Sequence, residues 1–423
     1  MGIKLGCIAD DFTGATDLAN NLVQAGMRVQ QAMGVPSGPL AADVDAVVIA
    51  LKSRTAPSED AISDSVAALR WLQAQGAQQI YFKYCSTFDS TSEGNIGPVT
   101  EALMDAMGTD FTVATPAFPD NQRTVFKGYL FVGDVLLHES GMQNHPLTPM
   151  TDPNLVRVMQ SQCTRKVGLI DYAVVQKGHD AVRERIAALR SEGVGIAIVD
   201  ALSNQDLVAM GPALGQLPLL TAGSGLAIGL PQNFGLSASS QAAALPTVKG
   251  ACAIVSGSCS VATNAQVAAF IKAGHSAFAL DPMQIAADCN VVETVLSQVL
   301  PLLEAGPVLI YSTADPASVK VVQAQLGVAQ AGALVENTLA AIARGLVEGG
   351  VAQLIVAGGE TSGACVQALG ISQMQIGGQI DPGVPWCFAR TDITGNDGIR
   401  IALKSGNFGS EDFFEKAFAD SAA

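Results

Sequence analysis

The chain has 423 residues, enough at ~150 per domain for two or three domains, and 49% of them are hydrophobic, so each domain can bury a sizeable core. Charged residues make up 14%, against roughly 25% in an average soluble chain, and 23 Lys and Arg stand against 38 Asp and Glu, a net charge of -15. Such a chain repels nucleic-acid backbones and anionic membranes unless a local basic patch intervenes, and none does, which excludes both as first partners.

At the N-terminus, Asp10 and Asp11 arrive before an apolar signal core can form. No stretch approaches the ~18 apolar residues of a membrane span. Gly6 stands where a myristoylation motif needs Ser or Thr. The eight cysteines are scattered without a CxxC pair and read as buried thiols of a reducing compartment, not as a disulfide frame or a zinc site. The expectation is a soluble, cytoplasmic protein with no residue assigned as a metal ligand.

Short apolar runs predict buried strands at Lys4–Ala9, Ala46–Leu51, Ile80–Tyr84, Phe111–Ala114, Val167–Ile170, Gly195–Val199 and Pro218–Thr221. Amphipathic patterns predict helices between them, as at Ser58–Gln75, with Trp71 in the core, and Asp180–Ser191. The rhythm breaks over 232–250, a stretch rich in Ser, Ala and Gln with one charge, Lys249. It restarts with strands at Ala251–Val255, Val308–Tyr311, Leu354–Ala357 and Ile399–Leu403. Strand and helix in alternation mean α/β architecture with mostly parallel sheets. The predicted organisation is one domain over 1–235, a linker over 236–250 and a second domain over 251–423, with the active site in a cleft between the domains.

In parallel sheets, ligands bind where strands run into helices. In the first half, strand Lys4–Ala9 ends in Asp10-Asp11-Phe12-Thr13-Gly14. Two adjacent carboxylates there can act as general base or hold Mg²⁺ through water, although one of them is adequately explained as a helix cap. Arg54 follows the next strand, and Lys83 lies in IYFKYC with Asp89 just beyond. Together these charges suit a small anionic, hydroxylated ligand. His138 and His145 lie in a loop-like segment and read as structural or surface residues. Ser224, in Gly-Ser-Gly, has the wrong flanks for a hydrolase elbow.

The second half carries three glycine and serine loops at such junctions: Ser256-Gly-Ser-Cys-Ser260, Ala357-Gly-Gly-Glu-Thr-Ser-Gly363 and Lys404-Ser-Gly-Asn-Phe-Gly409. Glycines let backbone N–H groups approach a phosphate, and a helix N-terminus adds positive potential. One such loop is explained by a capped turn; three in one domain point to a nucleotide. No P-loop motif is present, and Gly223-Ser-Gly225-Leu-Ala-Ile-Gly229 misses the dinucleotide fingerprint by one residue. Trp386 could line an adenine pocket, with plain packing as the default.

At these junctions the sequence resembles the four-carbon acid sugar kinases. The matching pieces are ADDFTGATD (9–17), KYCSTFDST (83–91), GNIGP (94–98), GSGLA (223–227), SGSCS (256–260), AGGETSG (357–363), PGVPW (382–386) and SGNFG (405–409), in order over nearly the whole chain. One departure is Ala222, where glycine is expected. The resemblance implies an N-terminal acid-sugar-binding domain, a C-terminal nucleotide-binding domain and ATP-dependent phosphorylation. The expected reaction is transfer across the cleft as the domains close, with glycine-rich loops and Mg²⁺ placing and neutralising the phosphates. The run Lys83–Gly94 lacks the arginine of the threonate and erythronate kinases. It is similar to the branch acting on 3-oxo-tetronates at the C4 hydroxyl. By motif, the resemblance implies nucleotide contacts at Ser258, Gly358, Gly359, Glu360, Thr361 and Gly406. It implies acid-sugar contacts at Arg54, Lys83 and Asp89, with Asp10 and Asp11 as catalytic candidates.

The expected partners are a small sugar acid and ATP, with no nucleic acid and no membrane; a homo-oligomer is compatible with the sequence. Three other readings stay open: a threonate or erythronate 4-kinase, a metal-dependent lyase or hydrolase working without nucleotide, and a sugar-acid sensor without chemistry. A thermal-shift screen separates them, since Mg·ATP stabilises the kinases, divalent metal alone the lyase, and sugar acids alone the sensor.

Overall fold

The apolar runs become parallel strands in the computed structural model, which describes every residue except 1, 37–39, 41–42, 90, 145–147, 315–320, 323, 395–396 and 420–423. The chain divides into two compact units, Met1–Ala243 and Ala244–Ala423, and 236–250 contains neither helix nor strand. Among the described residues no helix is long and apolar enough to cross a membrane. All eight cysteines are free thiols.

The first unit contains β1 (Leu5–Ala9), β2 (Val29–Met33), β3 (Ala46–Ala50), β4 (Gln79–Lys83), β5 (Thr112–Thr115), β6 (Arg123–Phe126), β7 (Tyr129–Val132), β8 (Val135–Leu136), β9 (Lys166–Ile170), β10 (Val194–Val199) and β11 (Leu219–Ala222). Eight of them form a parallel sheet in the order β2-β3-β1-β4-β11-β5-β10-β9. Strands β1, β3 and β4 are buried at every position, because helices cover both faces of a parallel sheet and leave no polar side. That double burial is why β1 and β3 read as unbroken apolar runs and β4 as one between Gln79 and Lys83. Strand β2 (VQQAM) escapes the same reading because buried Gln30 and Gln31 interrupt it; Gln31 Nε2 is satisfied by the Phe12 carbonyl at 3.4 Å. The short antiparallel sheet β6-β7-β8 likewise carries no long apolar run. Trp71 is half-buried, not core: the buried stripe of helix Ser58–Ala74 runs through Ala61, Ser65, Ala68, Leu69 and Leu72.

The second unit contains β12 (Ala251–Ser256), β13 (Ser276–Ala279), β14 (Val308–Tyr311), β15 (Val351–Ala357), β16 (Gln373–Asp381), β17 (Val384–Ala389) and β18 (Ile399–Lys404). Its strands run in the order β13-β14-β12-β15-β18-β17-β16, parallel except where β17 and β16 turn antiparallel. Core side chains Ile254, Leu309, Ile355 and Ala402 from four of these strands meet Phe270, Phe413 and Phe414 from the covering helices. Trp386 belongs to this packing: its Nε1 donates to the Ala417 carbonyl at 3.2 Å, and its ring lies 5.9 Å from that of Phe418.

Both units change winding direction beside a central strand. β1 lies between β3 and β4, and β12 lies between β14 and β15. At such a switch point the connections depart to opposite sides and open a crevice at the strands' carboxyl ends. The motif loops emerge there.

Candidate active site

In the first unit, Asp10 and Asp11 follow β1, Arg54 follows β3, and Lys83 ends β4, so one edge of the sheet gathers all four. Arg54 forks onto Asp10, with Nε 2.8 Å from Oδ2 and Nη2 2.9 Å from Oδ1, and Nη2 also reaches Asp11 Oδ1 at 2.7 Å. Lys83 Nζ lies 3.3 Å from the same Asp11 oxygen, and Thr13 Oγ1 donates to Asp11 Oδ2 at 2.9 Å. Asp11 occupies the N-cap position of helix Phe12–Gln24, yet its side chain makes no capping bond. The carboxylate is turned to the cations instead.

The two carboxylates differ in consequence. Burial pushes Asp10 above the ordinary carboxylate range despite the Arg54 fork. Burial also opposes ionisation of Asp11, but Lys83 and Arg54 outweigh it and hold that carboxyl below the range. Burial works against the charge of Lys83 as well, and the facing carboxylates, Asp11 foremost, raise its pKa in spite of it. Arg54 is thus committed to fixing Asp10 and Asp11, while Lys83 holds only one long bond. Asp89 accepts from Thr87 Oγ1 at 2.5 Å and shares a small crevice with Asp10, Ser53, Arg54 and Asn95.

Gly14 keeps this arrangement open. A Cβ there would overlap Lys83 Nζ and Asp11 Oδ1, the ends of two paired side chains. Gly14→Ala gains about 1 kcal/mol of helix propensity over glycine but must displace the Lys83–Asp11 pair, so it is expected to melt somewhat below the wild type. The displaced Lys83 should lower kcat/KM for the sugar acid at least tenfold; steady-state kinetics beside a thermal melt would check both halves.

In the second unit, Ser260 caps helix Val261–Lys272, its Oγ accepting from Thr263 N at 3.1 Å. Gly358 leads from β15 into helix Gly359–Ala368 with φ 127°, a conformation natural only to glycine. The two loops touch: a Cβ on Gly358 would lie 2.9 Å from Thr361 Oγ1 and 3.2 Å from Ser258 N. Between the helix N-termini opens a cavity of about 560 Å³. Ser258, Gly358, Gly359, Glu360 and Thr361 line its polar end, and Leu280, Pro282, Val322, Ala331 and Val335 supply an apolar wall. Gly406 is placed differently, behind Ser258 and not on the cavity lining; its carbonyl accepts from Ser260 Oγ at 2.6 Å and Thr263 Oγ1 at 2.9 Å.

Lys404 is a residue that sequence reasoning passed over. It is fully buried at the end of β18, and the three N–H of Nζ are shared among Thr263 Oγ1 at 3.0 Å and the carbonyls of Ser405, Gly406 and Phe408 at 3.1 Å each. Burial pulls its pKa down to about 8. It organises the SGNFG loop from beneath. Its one available signal was a lysine closing an otherwise apolar strand. His138 lies in the turn Leu137–Glu139 with Nδ1 buried, and His145 lies outside the described residues.

Residues 5–230 match the family model described as a sugar-binding N-terminal domain, and residues 253–414 match one described as a nucleotide-binding C-terminal domain. The chain belongs to the four-carbon acid sugar kinase family. A relative from Pseudomonas fluorescens, named 3-oxo-tetronate kinase, is 58% identical over 98% of this chain and 96% of its own. One of the same name from Cupriavidus necator is 54% identical over the same shares. A Haemophilus influenzae protein of known crystal structure superposes with a TM-score of 0.83 at 48% identity, covering 97% of this chain and 98% of its own. The family is one of enzymes, and the split between sugar-binding and nucleotide-binding domains follows the two units described above.

Proposed function

We propose that this protein is an ATP-dependent kinase that phosphorylates the C4 hydroxyl of a 3-oxo-tetronate in sugar-acid breakdown. The observation that carries the reading is the end-to-end likeness to proteins named 3-oxo-tetronate kinase. The chemistry of the two clusters supports it. Paired helix N-termini beside an apolar wall suit the phosphates and base of a nucleotide. Carboxylates fixed beside a buried lysine suit the hydroxyls and charge of a sugar acid.

In the proposed reaction the C4 oxygen attacks the terminal phosphorus of ATP, the bond to the β-phosphate oxygen breaks, and ADP leaves. The hydroxyl proton passes to Asp11 or through it to water. Phosphoryl transfer asks the protein mainly for positioning and charge neutralisation, so an ionised, weakly basic Asp11 suffices to orient the hydroxyl. Arg54 keeps Asp10 and Asp11 in register, Lys83 faces the charge of the substrate, and Asp89 is placed to accept a further hydroxyl. Among the described residues no three His, Cys, Asp or Glu side chains converge on a metal position. That suits Mg²⁺, which keeps several waters and enters on the nucleotide with one or two carboxylates beside it. Glu360, in the first turn of the helix at the cavity, would hold it, with Asp281 and Glu336 also on the lining, and the ion would neutralise phosphate charge. Free thiols and dependence on ATP support a cytoplasmic setting.

A coupled ADP-release assay tests the proposal. Freshly prepared 3-oxo-tetronates are expected to show specificity constants at least tenfold above threonate and erythronate. Comparable constants would move the protein to the threonate and erythronate branch. No ADP release with any four-carbon acid would overturn the kinase reading.

A further inference from the structure

The GSGLA motif finds no role in the clusters described so far, yet it meets ADDFTGATD directly. Asp17 and Asn21 lie one turn apart on helix Phe12–Gln24. The side chain of Asp17 bonds that of Ser224, and Asn21 Nδ2 donates to the Ser224 carbonyl at 2.9 Å. The neighbouring Gly225 packs so tightly on the loop after β5 that a Cβ would overlap the Ala117 carbonyl and approach Phe118 Cα to 2.9 Å. Phe118 in turn exchanges backbone hydrogen bonds with Arg123, at 2.8 and 3.1 Å. An unbroken chain of contacts therefore runs from Asp17 through Ser224 and Phe118 to Arg123.

Two polar atoms on this chain are buried without a partner: Asp17 Oδ1, on a residue only 9% exposed, and Arg123 Nε. One is an acceptor and the other a donor. Buried polar groups are nearly always hydrogen-bonded, so an unmatched acceptor and donor within reach of each other's charge call for a ligand carrying both. A hydroxy acid carries both.

We propose that Asp17, Ser224 and Arg123 form a second anchoring subsite for the sugar acid, where Asp17 Oδ1 accepts a ligand hydroxyl and Arg123 Nε donates to its carboxylate or keto oxygen. The proposal rests on the acid-sugar reading of this unit. The charges facing Asp17 are Lys83, Asp11 and Arg123, with the Ser224 hydroxyl beside them. Burial nevertheless raises its pKa to about 6. Binding through ionised Asp17 is therefore present above that pH and fades as pH falls through it. For folding the sign is opposite. The burial penalty is absent below the pKa of an exposed carboxyl and grows as pH rises through about 6, so Asp17→Asn is expected to melt at or above the wild-type temperature at neutral pH.

The test is calorimetric titration with freshly prepared 3-oxo-tetronate in ATP-free buffer, which requires no turnover, beside a titration with Mg·ATP. Asp17→Asn and Arg123→Met should each weaken sugar-acid binding at least tenfold, leave Mg·ATP binding within twofold, and in Asp17→Asn abolish the acid limb near pH 6. Arg123→Lys should recover only part of the loss. Sugar-acid binding within twofold of wild type in both folded variants would overturn the subsite, and a lowered melting temperature with unchanged affinity would make Asp17 structural. Should either variant fail to fold, Ser224→Ala and Arg123→Lys decide by the same comparison. Wild-type protein that binds threonate but no 3-oxo-tetronate would overturn the substrate reading alone, and the same variants titrated with threonate would still decide the subsite.

Discussion

Replacing Asp11 with asparagine is expected to lower kcat about 10²–10⁴-fold with little change in the KM for the sugar acid. The side chain of Asp11 is 26% exposed and that of Asp10 only 7%, so Asp11 is the carboxylate a substrate hydroxyl can meet. Asparagine preserves its shape but removes the charge that Arg54, Lys83 and Thr13 hold in place. An interaction that matters most as the hydroxyl attacks appears in kcat and not in ground-state binding. Asp10→Asn should behave differently. It removes one side of the Arg54 fork, while Arg54 keeps its bond to Asp11 and the burial penalty on the Asp10 charge disappears, so its effect falls on how Asp11 is held. The pair of variants thus separates the orienting carboxylate from the one that positions it: Asp11→Asn should cost far more in kcat than Asp10→Asn. Near-normal kcat in Asp11→Asn would remove Asp11 from the reaction and send the search for the orienting group back to Asp10 and Asp89.

Gly359→Val is expected to fold like the wild type and to lose Mg·ATP affinity on the order of 100-fold, about 2.7 kcal/mol. Gly359 opens its helix without a positive φ, and a Cβ placed on it meets nothing within 4 Å. The added methyls would therefore enter the cavity where the helix N-terminus attracts phosphate. Gly358 is the contrasting neighbour. Its φ of 127° and the 2.9 Å approach to Thr361 Oγ1 mean that Gly358→Ala strains the backbone and melts early as well. Titration with Mg·ATP and a thermal melt on both variants would distinguish them. A folded Gly359→Val protein that binds Mg·ATP as well as wild type would overturn the assignment of this loop to phosphate.

The α/β class, the parallel strands and the motif loops were legible in the sequence because each depends on neighbours along the chain. A strand covered on both faces is apolar wherever no polar side chain finds a partner, as β1 and β3 are throughout and β4 is between Gln79 and Lys83. A strand-to-helix turn that approaches a ligand needs glycine or a capping hydroxyl in place, as at Gly358 and Ser260. Strands β2 and β16 were not legible, since their glutamines break the apolar pattern and the amides of two of them donate to carbonyls far along the chain: Gln31 to that of Phe12, Gln375 to that of Ala244. The charges were legible as a set and not as pairs. Arg54 and Lys83 read alike in sequence, but folding gives Arg54 two carboxylates and leaves Lys83 one long bond. Gly406 read like Gly358, yet its carbonyl is taken by Ser260, Thr263 and Lys404 and it does not line the cavity. Asp17 and Ser224, 207 residues apart in the numbering, meet only because β1 and β11 both flank β4. Local periodicity records which face of an element is buried. Which charged group meets which across that face depends on sheet order, and sheet order exists only in the folded chain.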